Sequence, residues 1–131
     1  MSETITHPSQ PPSDGLILAG LREVCLVLPG VEERVNHGMP TFGIVGRRAF
    51  ANLHENQFDG RSTLWFKAAP GVQDELVEQE SDRFFVPPYL GQRGWMGLHL
   101  DVDLDWQEVA GMVEEAWRLT APKRLIAELD G

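Results

Sequence analysis

The segment from Val35 to Lys67 constrains this chain most. It gathers Phe, Val, Ile, Leu and Trp into short runs, broken at Gly46 and at "ENQFDG" (Glu55 to Gly60) and closed by "APG" (Ala69 to Gly71). Apolar runs too short for helices and bounded by turn residues are the pattern of antiparallel strands joined by hairpins. The spacing predicts three strands, near residues 41–46, 48–54 and 62–67. Gly46 would then supply the positive φ of a II′-type loop and leave Arg47 and Arg48 at a tight turn. Such a pair either grips a phosphate or keeps a hairpin tip in water, and the residues themselves leave both readings open.

Helical periodicity frames this segment. Leu18, Leu21, Val24, Cys25 and Leu28 recur on one face of residues 15–29, with Ser13 or Asp14 as N-cap and Pro29-Gly30 as the stop. "GVQDELVEQ" (Gly71 to Gln79) carries acids in its first turns and apolar Val72, Leu76 and Val77 at helical spacing. Phe84 to Val86 reads as a short strand ended by Pro87 and Pro88. Trp95 to Val102 alternates as a half-buried strand does. The last helix opens at Asp105, with Glu108 placed to complete a capping box, turns Trp106, Val109, Ala110, Val113 and Trp117 inward, and ends at Pro122. Short hairpins with helices on one face imply an α+β, two-layer domain of order α-β(3)-α-β(2)-α. It would span residues 15–131 behind a flexible tail, residues 1–14, that is rich in Pro, Ser and Thr and has no apolar run.

The chain lacks the local signatures of several chemistries. A lone cysteine excludes an internal disulfide and a Cys-based zinc site, and Cys25 reads as a core hydrophobe. The four histidines are scattered without zinc-ligand spacing. "DVDLDW" (Asp101 to Trp106) begins like a calcium loop but puts Trp106 where the loop needs Gly and Met112 where it needs Glu. No G-x-S-x-G turn or phosphate-binding glycine loop is present, so no catalytic residue, metal or cofactor is expected. No run approaches the length of a membrane span, which predicts a soluble, cytoplasmic protein that does not engage a membrane. A monomer is expected.

A net charge of -9 opposes binding to a polyanion. Its distribution is uneven: residues 34–73 hold five cations against two acids, whereas residues 74–115 hold eleven acids against Arg83 and Arg93. The cations beside turns or strand ends, Arg47, Arg48, Arg61, Lys67 and Arg93, are candidate phosphate contacts, with Tyr89 or Trp95 available for stacking. A second arrangement, a small-ligand pocket built from His37, Lys67 and Trp95, is also compatible with the sequence. The acidic, helix-rich half offers a third, a surface for a protein partner.

Four segments together resemble the MmcQ/YjbR family: "GMPTFGIVGRRAFANL" (Gly38 to Leu53), "TLWFKAAPG" (Thr63 to Gly71), "RFFVPPYLGQRGWMGLHLD" (Arg83 to Asp101) and "DWQEVAGMVEEAWRLTAPKRL" (Asp105 to Leu125). The resemblance implies a two-layer fold with an antiparallel sheet, related in shape to type III secretion chaperones. It also implies a proposed "double wing" DNA-binding motif, in a family whose biochemical role is largely unassigned; with the cations above, a non-enzymatic, DNA-binding domain is the leading expectation. Here the wings would be the hairpin around Gly46, Arg47 and Arg48 and the loop from Pro87 to Gly94, which carries Arg93.

Overall fold

The computed structural model describes residues 15–55, 61–88, 90–100 and 104–131. The tail over residues 1–14, Tyr89, and Asp101 to Asp103 of the calcium-like run lie outside the described residues. In chain order the elements are α1 (Leu16–Cys25), β1 (Val31–Asn36), β2 (Met39–Ile44), β3 (Ala49–Glu55), β4 (Ser62–Lys67), α2 (Val72–Gln79), β5 (Phe84–Phe85), β6 (Trp95–His99), α3 (Trp106–Arg118) and α4 (Lys123–Asp130). A single 3-10 turn, Leu90–Arg93, precedes β6. The strands form one six-stranded sheet in the order β1-β2-β3-β4-β6-β5, with every pairing antiparallel.

The α+β, antiparallel architecture is the expected one, with one strand and one helix more than the predicted series. β1 escapes the sequence pattern because "VEERVN" is an edge strand whose charged residues serve ion pairs. Glu33 accepts from Arg22 of α1 at 2.7 Å, and Glu32 accepts from Arg34 at 2.8 Å. β1 turns into β2 through His37 and Gly38, at φ 53 and 79, the two left-handed central residues of a type I′ hairpin. α4 escapes because Pro122 is not the end of α3. That helix stops at Arg118, and Pro122 is the N-cap of the next, where its missing N–H costs nothing. Lys123 and Arg124 therefore lie in a first helical turn, at the positive end of the helix dipole.

Strand period dictates the core. Phe42, Ile44, Ala51, Leu53, Leu64, Phe66, Met96 and Leu98 point to one face of the sheet and meet Ile17, Leu21, Val109, Val113, Ala116 and Trp117 from α1 and α3. In α3 Ala116 joins the buried stripe, and Ala110 is only partly buried. Asp105 caps α3 as expected, accepting from the backbone N–H of Gln107 at 3.0 Å and of Glu108 at 3.4 Å. Glu108 does not turn back to complete the box. Its carboxylate takes the Arg83 guanidinium, which also holds Glu80 at 2.7 Å. Asp105→Ala is expected to lower stability by about 1 kcal/mol in urea unfolding, while Asp105→Asn, which keeps the acceptor, stays close to the parent.

Candidate nucleic-acid interface

The same period that buries Leu64 and Phe66 turns Thr63, Trp65 and Lys67 of β4 to the opposite face of the sheet. Register then decides their neighbours. Asn52 stands opposite Trp65 and His54 opposite Thr63 on β3; on β6, Lys67 pairs with Trp95, Trp65 with Gly97 and Thr63 with His99. The two hollows on this face described below are lined by strand residues and the turns beside them, with no α-helical residue among the lining.

Two glycines on the face let neighbouring side chains lie flat on it. A Cβ at Gly43 would stand 2.5 Å from the Arg34 guanidinium, and one at Gly97 would stand 2.2 Å from the Phe85 ring. Arg34 is fixed there by donating to the Ile44 carbonyl at 2.7 Å. Phe85, opposite Gly97 in the β5–β6 pairing, lies over it.

One hollow, about 290 Å³, is lined by Asn36, Arg48, Ala49, Asn52, Lys67, Leu90, Arg93 and Trp95. Its cations come from three elements: Arg48 from the β2–β3 turn, Lys67 from the end of β4, and Arg93 from the 3-10 turn before β6. In the β2–β3 turn the Arg47 N–H donates to the Ile44 carbonyl at 2.8 Å. Gly46, at φ 79, is therefore the third residue of the turn, where a type II turn requires it, and not the second residue of a II′ loop. The connection carrying Arg93 is tied down by Gln73 of α2, whose amide donates to the Gly91 carbonyl at 2.9 Å and the Trp95 carbonyl at 2.7 Å.

Burial, followed by the charge of Arg48, holds the Lys67 ammonium below the usual lysine range. Arg22, Arg34, Arg83 and Arg118 each hold a carboxylate. Among the described residues, Arg47, Arg48, Lys67 and Arg93 hold none. Like charges brought together are the arrangement an incoming anion relieves.

Arg47 leans the other way, toward the end of α3. It donates to the Thr120 carbonyl at 3.4 Å, and with Arg48, Lys67, Leu119 and Thr120 it lines a shallower hollow of about 330 Å³. Arg61 stands at the far end of β4, about 20 Å from Lys67 at the usual strand rise of about 3.3 Å per residue. The structure thus groups four of the five predicted cations and sets Arg61 apart. The alternative pocket is divided as well: Lys67 and Trp95 share a wall, while His37 stays outside the lining, exposed on its hairpin turn.

Arg61 belongs to an aromatic cleft of about 380 Å³ that residue types did not reveal, lined by His54, Glu55, Arg61, Thr63, Trp65, Phe85, Pro88 and His99. His54 stacks on Trp65 with centroids 3.6 Å apart and planes 13° from parallel, and its Nε2–H donates to Asn52 Oδ1 at 2.8 Å. Phe85 meets Trp65 edge-on at 6.5 Å and His99 at 4.9 Å. The sequence signal for these rings was the outward alternation of Thr63, Trp65 and Lys67, which locates a face only once the strand register is known.

Burial lowers the His54 imidazole to about 4. The unfolded chain takes this proton near 6.5 and the folded chain only near 4, so the favoured neutral ring supports the fold above pH 6.5 and that support is lost as pH falls toward 4. Urea midpoints measured between about pH 7 and pH 4 should fall more steeply for the parent than for His54→Phe; parallel profiles would exclude this origin. Cys25 is fully buried, and burial pushes its thiol up to about 12, which leaves no thiolate for chemistry near neutral pH. No three His, Cys, Asp or Glu side chains among the described residues are grouped as metal ligands, and no helix there is long and apolar enough to cross a membrane.

A family model described as YjbR matches residues 26–119. Among solved structures, the crystal structure of Deinococcus radiodurans protein DR2400, with domain DUF419, is similar over 78% of this chain and 76% of that one, at 20% identity and a TM-score of 0.67. At that identity the likeness speaks for the fold alone. No curated protein matches the chain.

Proposed function

The chain belongs to the YjbR family, and we propose that it is a non-enzymatic binding domain that holds DNA by its phosphates on the open face of the sheet. One observation carries this reading: Arg48 and Arg93, from two separate connections, stand with Lys67 around a single hollow and hold no carboxylate among the described residues. The two connections are those the double-wing resemblance designates. A fork-shaped guanidinium on either side of a lysine suits successive phosphate oxygens, and the hollow's Asn36 and Asn52 supply further hydrogen-bonding groups.

The net charge of -9 sets the expected character of the complex. Association receives no long-range steering from the whole protein, and affinity rests on a few local neutralised phosphates. Titration of labelled DNA at low and moderate salt, with the parent and with a variant in which Arg48, Lys67 and Arg93 are all alanine, tests the reading. Salt-sensitive binding by the parent alone supports it; absence of binding at low salt, or binding unchanged in the variant, overturns it.

A further inference from the structure

We propose that the DNA accepted on this face is single-stranded, with an unpaired base laid against the Trp65 and Phe85 rings while its phosphates run to the Lys67 end. This rests on the reading of the cationic hollow as a phosphate site and specifies what occupies the rest of the face.

Shape is the first argument. The major groove of a duplex admits a helix or a two-stranded ribbon, whereas this face spans a six-stranded sheet. Such a surface reaches the bases of a duplex only by prying open the minor groove and unstacking base steps, each at a cost in free energy; otherwise it meets the backbone, where every base is paired and out of reach of the rings. A single strand can splay its bases onto aromatic side chains and leave its phosphates to neighbouring cations.

Placement is the second. Trp65 and Lys67 are two residues apart on β4 and face the same way, about 7 Å from each other at the usual strand rise. The His54 to Asn52 hydrogen bond joins the wall of the aromatic cleft to that of the cationic hollow. Phosphate-binding and ring-bearing surfaces are therefore consecutive along the strands, as a nucleotide's phosphate and base are consecutive along its chain.

Ring geometry is the third. Phe85 lies over Gly97, where any larger residue would displace the ring, and Trp65 is backed by the parallel His54 imidazole. The Trp65 indole N–H is held by Thr63 Oγ1 at 3.1 Å, which fixes the ring plane. A neutral His54 adds stacking surface at the cost of no further charge. Trp65 and Phe85 are only partly buried, so their outer surfaces remain accessible.

The test compares three labelled probes at one low ionic strength: an oligothymidine of about twelve nucleotides, an abasic strand of equal length, and a duplex of equal length. The oligothymidine is expected to bind about tenfold more tightly than either of the others, from stacking of at least one base. Trp65→Leu should remove that advantage and leave abasic-strand affinity at the parent value; Phe85→Leu provides a second variant if the first does not fold. Equal affinity for all three probes, or an oligothymidine advantage that survives both substitutions, overturns this inference while the phosphate site stands. Failure of every probe to bind at low salt overturns the phosphate site itself, and this inference with it.

Discussion

Trp117→Ala is expected to lower the unfolding free energy by about 3–5 kcal/mol, the usual cost of truncating a large buried aromatic. Trp117 is 0% exposed, and its indole N–H donates to the Pro29 carbonyl at 3.0 Å. That carbonyl sits at the corner where α1 gives way to β1, next to Gly30 at φ 75. A Cβ on Gly30 would stand 2.8 Å from the Leu125 side chain of α4. One indole therefore ties α3 to the turn that also receives α4, and its loss leaves both a cavity and an unpaired carbonyl. Against a typical domain stability of about 5–15 kcal/mol, that loss removes from about a fifth to all of the margin. Trp117→Phe separates the two contributions: it keeps most of the volume and loses the hydrogen bond, for about 1 kcal/mol. Urea unfolding followed by circular dichroism measures both. A phenylalanine variant as unstable as the alanine variant would show that the Pro29 contact, and not packing, dominates.

Much of this architecture could be read from the chain because local signals and burial agree. The apolar alternation and the glycine-bounded turns located β2, β3 and β4, and the Asp105 cap located α3. β1 was illegible because an edge strand has no obligation to alternate, and its charges are explained only by Arg22 on a different element. α4 was illegible because proline ends one helix and begins another with equal ease. The candidate site divides along the same line. Arg48, Lys67 and Arg93 announced themselves as cations beside turns or a strand end. The aromatic cleft did not, since His54, Trp65, Phe85 and His99 share a face only through the registers that join β3 to β4, β4 to β6 and β6 to β5. His37 misled for the opposite reason: a histidine before glycine looks poised to line a groove, yet its left-handed φ of 53 serves a type I′ turn.

Replacement of Arg48, Lys67 and Arg93 by alanine is expected to abolish most DNA binding and, more tellingly, most of its salt dependence. If Arg47 joins the three cations, four phosphates are neutralised, and for a single strand the logarithm of the affinity then falls with slope about -2.8 against the logarithm of salt. Raising salt from roughly 50 to 200 mM would weaken the parent complex roughly 50-fold. With only Arg47 left, the slope falls to about -0.7 and the same change costs roughly threefold. A loss of slope distinguishes removal of phosphate contacts from general damage to the fold, which would lower affinity at every salt without changing the ions released. The single substitution Lys67→Ala is the sharper variant of the test. Lys67 sits between two guanidinium-bearing connections and is already held below the usual lysine range, first by burial and then by Arg48. Its removal relieves repulsion in the free protein, so stability should hold or rise while affinity falls and the slope drops by about 0.7. A Lys67→Ala protein that binds as the parent does, with the parent's slope, would show that phosphates do not enter this hollow.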